Sequence, residues 1–341
     1  MKAIVFHEFG NSSKLKLEDV KIPEIGPSEI LVKVKVCGVN RLDLLLRNGD
    51  VPDAPLPHIC GSEVAGIVEK VGSKVSSPKI GERIVIAPWI FCGKCEQCKK
   101  GQETTCPNGD ILGMHSNGGY AEFVKVPAVN AVKIPGKLNF NDAAAVTLSA
   151  LTAWRMLNTR AKLKKNETVL VHAGGSGVGS SAIQIAKHLG AKVIATASTD
   201  EKRKNASKLG ANVVIDSKAD GLSSRVMKET GGKGVDVVFE HVGKDTWQES
   251  MKSLKKNGRI VTCGGTTGYE VNLDTGDVIY SELTVLGSRG GTRIELKQVL
   301  DLVAKKRIRP VFDKEFQLEK AVDAQERMEN RKQFGKIVLL L

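Results

Sequence analysis

Residues 168–197 read TVLVHAGGSGVGSSAIQIAKHLGAKVIATA, and no other stretch narrows the possible folds as far. Thr168–His172 is a short β-branched strand that runs directly into a glycine turn. Ser180–Leu189 then carries Ala182, Ile183, Ile185, Ala186 and Leu189 at helical spacing. Gly190 closes that helix, and Lys192–Thr196 is a second apolar strand. The pattern predicts a βαβ unit whose first strand–helix junction cradles a dinucleotide. Small residues let the backbone approach a pyrophosphate, and the helix start offers unpaired N–H groups and the positive end of its dipole. Gly174, Gly175, Ser176, Gly177, Val178 and Gly179 are the candidate contacts.

At the end of the second strand an acidic residue normally accepts from the ribose 2′-hydroxyl. Here the chain reads Ala197-Ser198-Thr199, then Asp200-Glu201-Lys202-Arg203. The missing acid leaves room for a 2′-phosphate, with Ser198, Thr199 and Lys202 or Arg203 as partners. NADP(H) is therefore favoured over NAD(H), and Asp200 keeps the opposite case open. Further strands are expected at Val213–Asp216, Val235–His241, Gly258–Gly264 and Glu282–Gly287, with helices near 201–210, 222–230 and 246–256. The alternation predicts a doubly wound parallel sheet. His241 falls at the strand end where cofactor binds, and Gly264-Gly265 gives the nicotinamide end close backbone approach.

The first 130 residues lack this alternation. Glu29–Val39 (EILVKVKVCGV) places Val32, Val34 and Val36 on one face and Lys33, Lys35 and Cys37 on the other. Ala3–Phe6, Glu63–Val71, Arg83–Ala87 and Ala121–Val126 read as further strands between Pro/Gly loops, so this half is a β-rich antiparallel domain. Within it, CGKCEQCKKGQETTC (92–106) holds four of the chain's seven cysteines. Close cysteines separated by small and polar residues predict a tetrahedral Zn²⁺ held by Cys92, Cys95, Cys98 and Cys106. Four thiolates leave no open coordination position, so one structural Zn²⁺ is expected there rather than a Lewis acid.

The length of 341 residues suggests two domains, and 41% hydrophobic with 26% charged residues is ordinary for a soluble protein. No apolar run reaches membrane-spanning length and the start carries no signal-like segment, so a cytoplasmic protein is expected. The net charge of +13 is spread along the chain with only 4% aromatic residues, which disfavours a nucleic-acid partner.

CGVNRLD (37–43), GSEVAGIVEKVG (61–72), GERIVI (81–86), the cysteine cluster, GGYAEFV (118–124), the nucleotide turn and FGKIVL (334–339) together resemble the medium-chain dehydrogenase/reductase superfamily of zinc alcohol dehydrogenases and quinone oxidoreductases. The resemblance spans essentially the whole chain. It implies an α/β protein: a GroES-like catalytic domain over 1–130 with the structural zinc lobe at 92–106, completed by 291–341, and a Rossmann domain over 131–290, with the active site in the cleft between them. It also implies that the catalytic-zinc positions fall on Asn40, Ser62 and about Leu148, none of them a good zinc ligand. The start of the alcohol proton relay falls on Leu42.

That pattern is similar to the zinc-independent quinone and enone reductases, although those relatives usually lack the cysteine lobe. The implied reaction is hydride transfer from NADPH to a quinone or α,β-unsaturated carbonyl. Asn40 is the expected amide donor, Ser62 a hydroxyl candidate, and Thr152 a contact to the nicotinamide ribose. Arg41 and Lys336 match positions that meet the cofactor pyrophosphate. Two alternatives stay open: an alcohol dehydrogenase or carbonyl reductase with a non-standard catalytic zinc through Glu63 and Cys60, and an NADPH-binding protein with an RNA-interaction role. A small-molecule substrate and a homo-oligomer, dimer or tetramer, complete the expectation.

Overall fold

The computed structural model describes residues 1–341, which divide into two compact units. The first comprises Met1–Leu151, Gly291–Lys306 and Phe312–Leu341; the second comprises Thr152–Gly290 and Arg307–Val311. The stretch 131–151, expected to open the nucleotide-binding domain, packs in the first unit instead.

In the first unit β1 (Lys2–Val5) pairs antiparallel with β2 (Lys16–Asp19). The main sheet uses β3 (Glu29–Val39), β4 (Glu63–Val71), β5 (Arg83–Ile86), β8 (Phe123–Pro127) and β9 (Ala131–Lys133), while β6 (Trp89–Ile90) and β7 (Asp110–Ile111) form a small ribbon. β9 pairs with β5, which is why the expected domain boundary moves past 131. The chain later returns to add β16 (Phe312–Gln317) and β17 (Lys336–Leu340), giving the order β16-β17-β3-β4-β5-β9 with β8 beside β3. Phe6, Ile30, Leu44, Ile84 and Leu112 are buried in its core. Each such side chain contributes about 1.5–3 kcal/mol over leaving it exposed.

β3 departs from simple alternation. Its pairing with β4 slips between Val34 and Val36, so Lys35 is the extra residue of a β-bulge. The bulge inverts the phase: Ile30, Val32 and Val34 face the core, and so do Cys37 and Val39 beyond it. Cys37 is 0% exposed rather than sharing the face of Lys33 and Lys35.

The second unit contains six parallel strands in the order β12-β11-β10-β13-β14-β15. They are β10 (Thr168–Val171), β11 (Lys192–Ala197), β12 (Val213–Asp216), β13 (Val235–Glu240), β14 (Leu254–Thr262) and β15 (Thr284–Gly287). Helices Gly177–His188, Asp200–Lys208, Leu222–Glu229 and Lys244–Lys252 connect them. The last helix stops short of 256, because Leu254 turns into the core and begins β14. Strand order reverses between β10 and β13, the switch point at which such sheets bind ligands.

Candidate functional site

Two strand registers converge on one buried cluster in the first unit. Gly38 lies opposite Glu63 across β3 and β4, and Ile337 lies opposite Val39 across β17 and β3, so Lys336 emerges beside Asn40. Lys336 Nζ sits 2.6 Å from Glu63 Oε2, and donates to Asn40 Oδ1 at 2.7 Å and to Val39 O at 3.0 Å. Lys336 is 3% exposed and Glu63 is 0% exposed. The other Glu63 oxygen accepts from the backbone N–H groups of Leu148 and Ser149, each at 2.9 Å. Gly38 makes this possible, since a Cβ there would lie 2.1 Å from Glu63 Oε2.

Asn40 precedes the helix Arg41–Asn48, and its backbone N–H donates to Asp43 Oδ2 at 2.7 Å. Asp43 also accepts from Gly61 N–H and from the Tyr120 hydroxyl. Burial pushes its carboxyl up to about 6 despite those donors. Burial likewise raises the Cys37, Cys60 and Tyr120 pKa values, so these groups stay protonated. Ser62 is 0% exposed and its Oγ has no partner. His58 is buried: Phe6 meets its ring edge-on, its Nε2 contacts Gly113 O, and burial lowers its pKa.

The residues at the catalytic-zinc positions do not fit that ion. Asn40 offers an amide oxygen already bonded to Lys336, Ser62 a hydroxyl, and Leu148 no donor at all. Glu63, the proposed core of a rebuilt metal site, faces an ammonium, and the Cys60 thiol points at the Asp43 carbonyl. The cysteine quartet, in contrast, fits zinc. Its four Sγ atoms lie within 4.8 Å of one another, with Cys92–Cys98 at 4.0 Å and Cys95–Cys106 at 3.8 Å. A tetrahedron with Zn–S bonds of about 2.3 Å has S–S edges of about 3.8 Å.

In the second unit the glycine turn has the expected form. Ser176 caps the helix Gly177–His188 by accepting from Gly179 N–H at 2.9 Å. A Cβ at Gly179 would lie 2.3 Å from Ala173 O. Ala173 itself is held at φ 44°, a left-handed conformation costing about 1–2 kcal/mol for a residue with a Cβ. Gly174, Gly175, Gly177 and Val178 complete a small-residue cradle suited to a nicotinamide dinucleotide.

At the ribose end, Thr199 caps the helix Asp200–Lys208 by accepting from Lys202 N–H, beside Ser198. Arg203 is drawn to the carboxylates of Asp200 and Asp216. His241 follows β13, contacts His172 O through Nε2 at 2.9 Å, and is held below its usual pKa by burial. Gly264 and Gly265 follow β14. Thr152 is 7% exposed in the helix Ser149–Trp154, and Arg41 buries its Nε without a partner.

Glu240 and His172 are absent from the residues expected above. Glu240 is 0% exposed and accepts from Val242 and Gly243 N–H and from the Thr246 and Ser250 hydroxyls. Burial would raise its pKa, but His172, Ser250 and those amides outweigh it and hold it low. His172, whose Nε2 meets Ser250 Oγ at 2.8 Å, is lowered by burial, which outweighs the pull of Glu240. The network fixes the backbone after β13 at the switch point. A charged residue ending the apolar run VDVVFE is its signal in the sequence.

A mostly apolar pocket of about 580 Å³, lined by Val5, Ile59, Leu112 and Phe123 among others, is not formed by Asn40, Ser62 or Lys336.

A family model for the alcohol dehydrogenase GroES-like domain matches residues 26–136, and one for zinc-binding dehydrogenases matches 177–305. The chain is 35% identical to an alcohol dehydrogenase of Geobacillus stearothermophilus over 344 aligned positions, covering 100% of this chain and 99% of that protein. It is 33% identical to the quinone oxidoreductase of Mus musculus, covering 100% and 98%. Among solved structures, an NAD-dependent alcohol dehydrogenase superposes with a TM-score of 0.95 at 38% identity, covering 100% of both chains. With its GroES-like unit, its Rossmann unit, its cysteine quartet and its nicotinamide-type glycine turn, the chain belongs to the medium-chain dehydrogenase/reductase superfamily and is an NAD(P)-dependent oxidoreductase.

Proposed function

We propose that this chain reduces a quinone or an α,β-unsaturated carbonyl with NADPH, without a catalytic metal. One observation carries the reading: a lysine ammonium paired with Glu63 donates to Asn40, a position that the resemblance assigns to the catalytic zinc. A cation held there disfavours a second cation.

Oxidising a simple alcohol requires stabilisation of an alkoxide and removal of its proton. Here the position that would begin a proton relay is Leu42. Reduction of an activated double bond asks less. A nicotinamide bound at the glycine turn would supply a hydride to the β-carbon, leaving negative charge on the substrate oxygen. Asn40 Nδ2 and the unpartnered Ser62 hydroxyl are the donors placed to stabilise that oxygen, and solvent delivers the closing proton. Thr152 would orient the ribose, while the Glu240 network holds the strand end at the switch point. NADPH is preferred because β11 ends in Ala197-Ser198 with no acid at the ribose position.

The test is NADPH and NADH consumption by the purified protein against quinones, enones, aldehydes and, in the reverse direction, alcohols, with zinc counted per chain. Turnover of a quinone or enone with NADPH at one zinc per chain is expected. Alcohol oxidation that tracks a second zinc would sink the reading.

The chain also pairs with a second copy through β15. That strand ends the sheet with one edge unpaired, and Ile279, Tyr280 and Val285 beside it are 67%, 84% and 42% exposed. Light scattering should give a dimer or a tetramer, and Val285→Lys should shift it toward monomer. A monomeric wild type would exclude the pairing.

A further inference from the structure

We infer that Lys336 is a positioning residue for Asn40: its ammonium, paired with Glu63, fixes the Asn40 amide with oxygen toward the lysine and leaves an N–H for the substrate. This rests on the reading of Asn40 as a substrate-oxygen donor.

A lysine ammonium has three hydrogens and no lone pair. Two of them donate, to Asn40 Oδ1 and to Val39 O, and Glu63 Oε2 lies 2.6 Å from the ammonium as its counter-ion. The side chain is 3% exposed, so the ammonium is held inside the first unit.

The same contacts decide the orientation of Asn40. An ammonium can only donate, so the amide must turn its oxygen to Lys336 and its NH₂ away. One Nδ2 hydrogen makes a long 3.4 Å contact to Gly38 O, and the other has no acceptor in the protein. Asn40 is half-buried, so its NH₂ is not lost in the core. Rotating the amide by half a turn would put two donors against each other, so the cation holds a donor ready that would otherwise sample both orientations. Glu63 is held in turn by Leu148 N–H and Ser149 N–H, which ties the orientation to the chain leaving the first unit.

Lys336→Met alone leaves Glu63 buried and unpaired and can cost the fold. The working variant is Glu63→Gln/Lys336→Met, which removes both charges and keeps an acceptor for Leu148 and Ser149. It is measured with Lys336→Arg, Asn40→Ala and the combined triple change. The readouts are the NADPH dissociation constant by fluorescence, kcat and KM at saturating NADPH, and unfolding midpoints.

The expected result is an NADPH constant within about twofold of wild type and a kcat lower by about tenfold to a hundredfold. Adding Asn40→Ala should cause little further loss, and Lys336→Arg, which keeps a charged donor, should recover part of kcat. Weaker NADPH binding with kcat preserved would return Lys336 to the pyrophosphate. Independent losses from Asn40 and Lys336 would also overturn the proposal. A wild type that turns over alcohols instead of enones defeats the substrate reading alone, and the cycle is then run on that reaction. The cofactor constant and the non-additivity of unfolding midpoints need no turnover, and additive midpoints would overturn the coupling in any case.

Discussion

Asp43 shows how a single buried side chain sets a pH dependence for the whole first unit. Its carboxyl is 1% exposed, and burial raises its pKa to about 6 against the donors that Asn40, Tyr120 and Gly61 offer. An unfolded aspartate titrates near about 3.9, so between about pH 4 and about pH 6 the folded state binds more protons than the unfolded one. Stability contributed by this group therefore falls as pH rises through that window and is constant above it. At 1.36 kcal/mol per unit the swing is at most about 3 kcal/mol. Urea unfolding of the wild type and Asp43→Asn should show it as a difference that shrinks from acid to neutral pH. A difference independent of pH would mean that Asp43 is not raised. The sequence does not display this: DLLL names an acidic residue at a helix start, whereas the burial comes from Gly61 and Tyr120, which are distant in the chain. The same holds for His58 and Lys336, whose burial comes only from the pairing of segments distant in the chain.

At the scale of elements, legibility follows how local the cause is. Glu29–Val39, Glu63–Val71 and Val213–Asp216 begin and end where their composition says, because β-branched runs bounded by Gly or charged residues leave little choice. The glycine turn was readable for the same reason, since its strand, turn and helix are contiguous. What period-two reading cannot find is the bulge at Lys35, whose cause lies in the partner strand. That one extra residue turns Cys37 and Val39 into the core and brings Gly38 against Glu63, so the cluster exists because the alternation is broken. Glu63 and Lys336 come from segments far apart in sequence and meet only through the registers of β3, β4 and β17. The resemblance supplied their positions, but their contact was visible only once the strands were paired.

At the scale of the molecule, the two units separate the work of the cysteine lobe from that of the cofactor turn. The lobe belongs to the first unit, where Glu103 accepts from Arg293 N–H at 2.6 Å and so ties residues 92–106 to the start of the helix Arg293–Ala304. Arg293 in turn donates to Val129 O and lies over the Phe91 ring. A zinc ion in the quartet holds the lobe closed for these contacts, and structural zinc binding is worth about 10–16 kcal/mol in small zinc-folded peptides. The glycine turn lies in the second unit. Cys95→Ser should therefore remove the structural zinc and lower the unfolding midpoint by several degrees, while the NADPH constant of the protein that remains folded stays within about twofold. Elemental analysis, calorimetry and cofactor fluorescence on one preparation read all three quantities. If turnover per folded chain vanished while the midpoint held, the zinc would be taking part in the reaction. Four sulfur ligands give it no open position from which to do so, and the stability loss is the outcome the geometry requires.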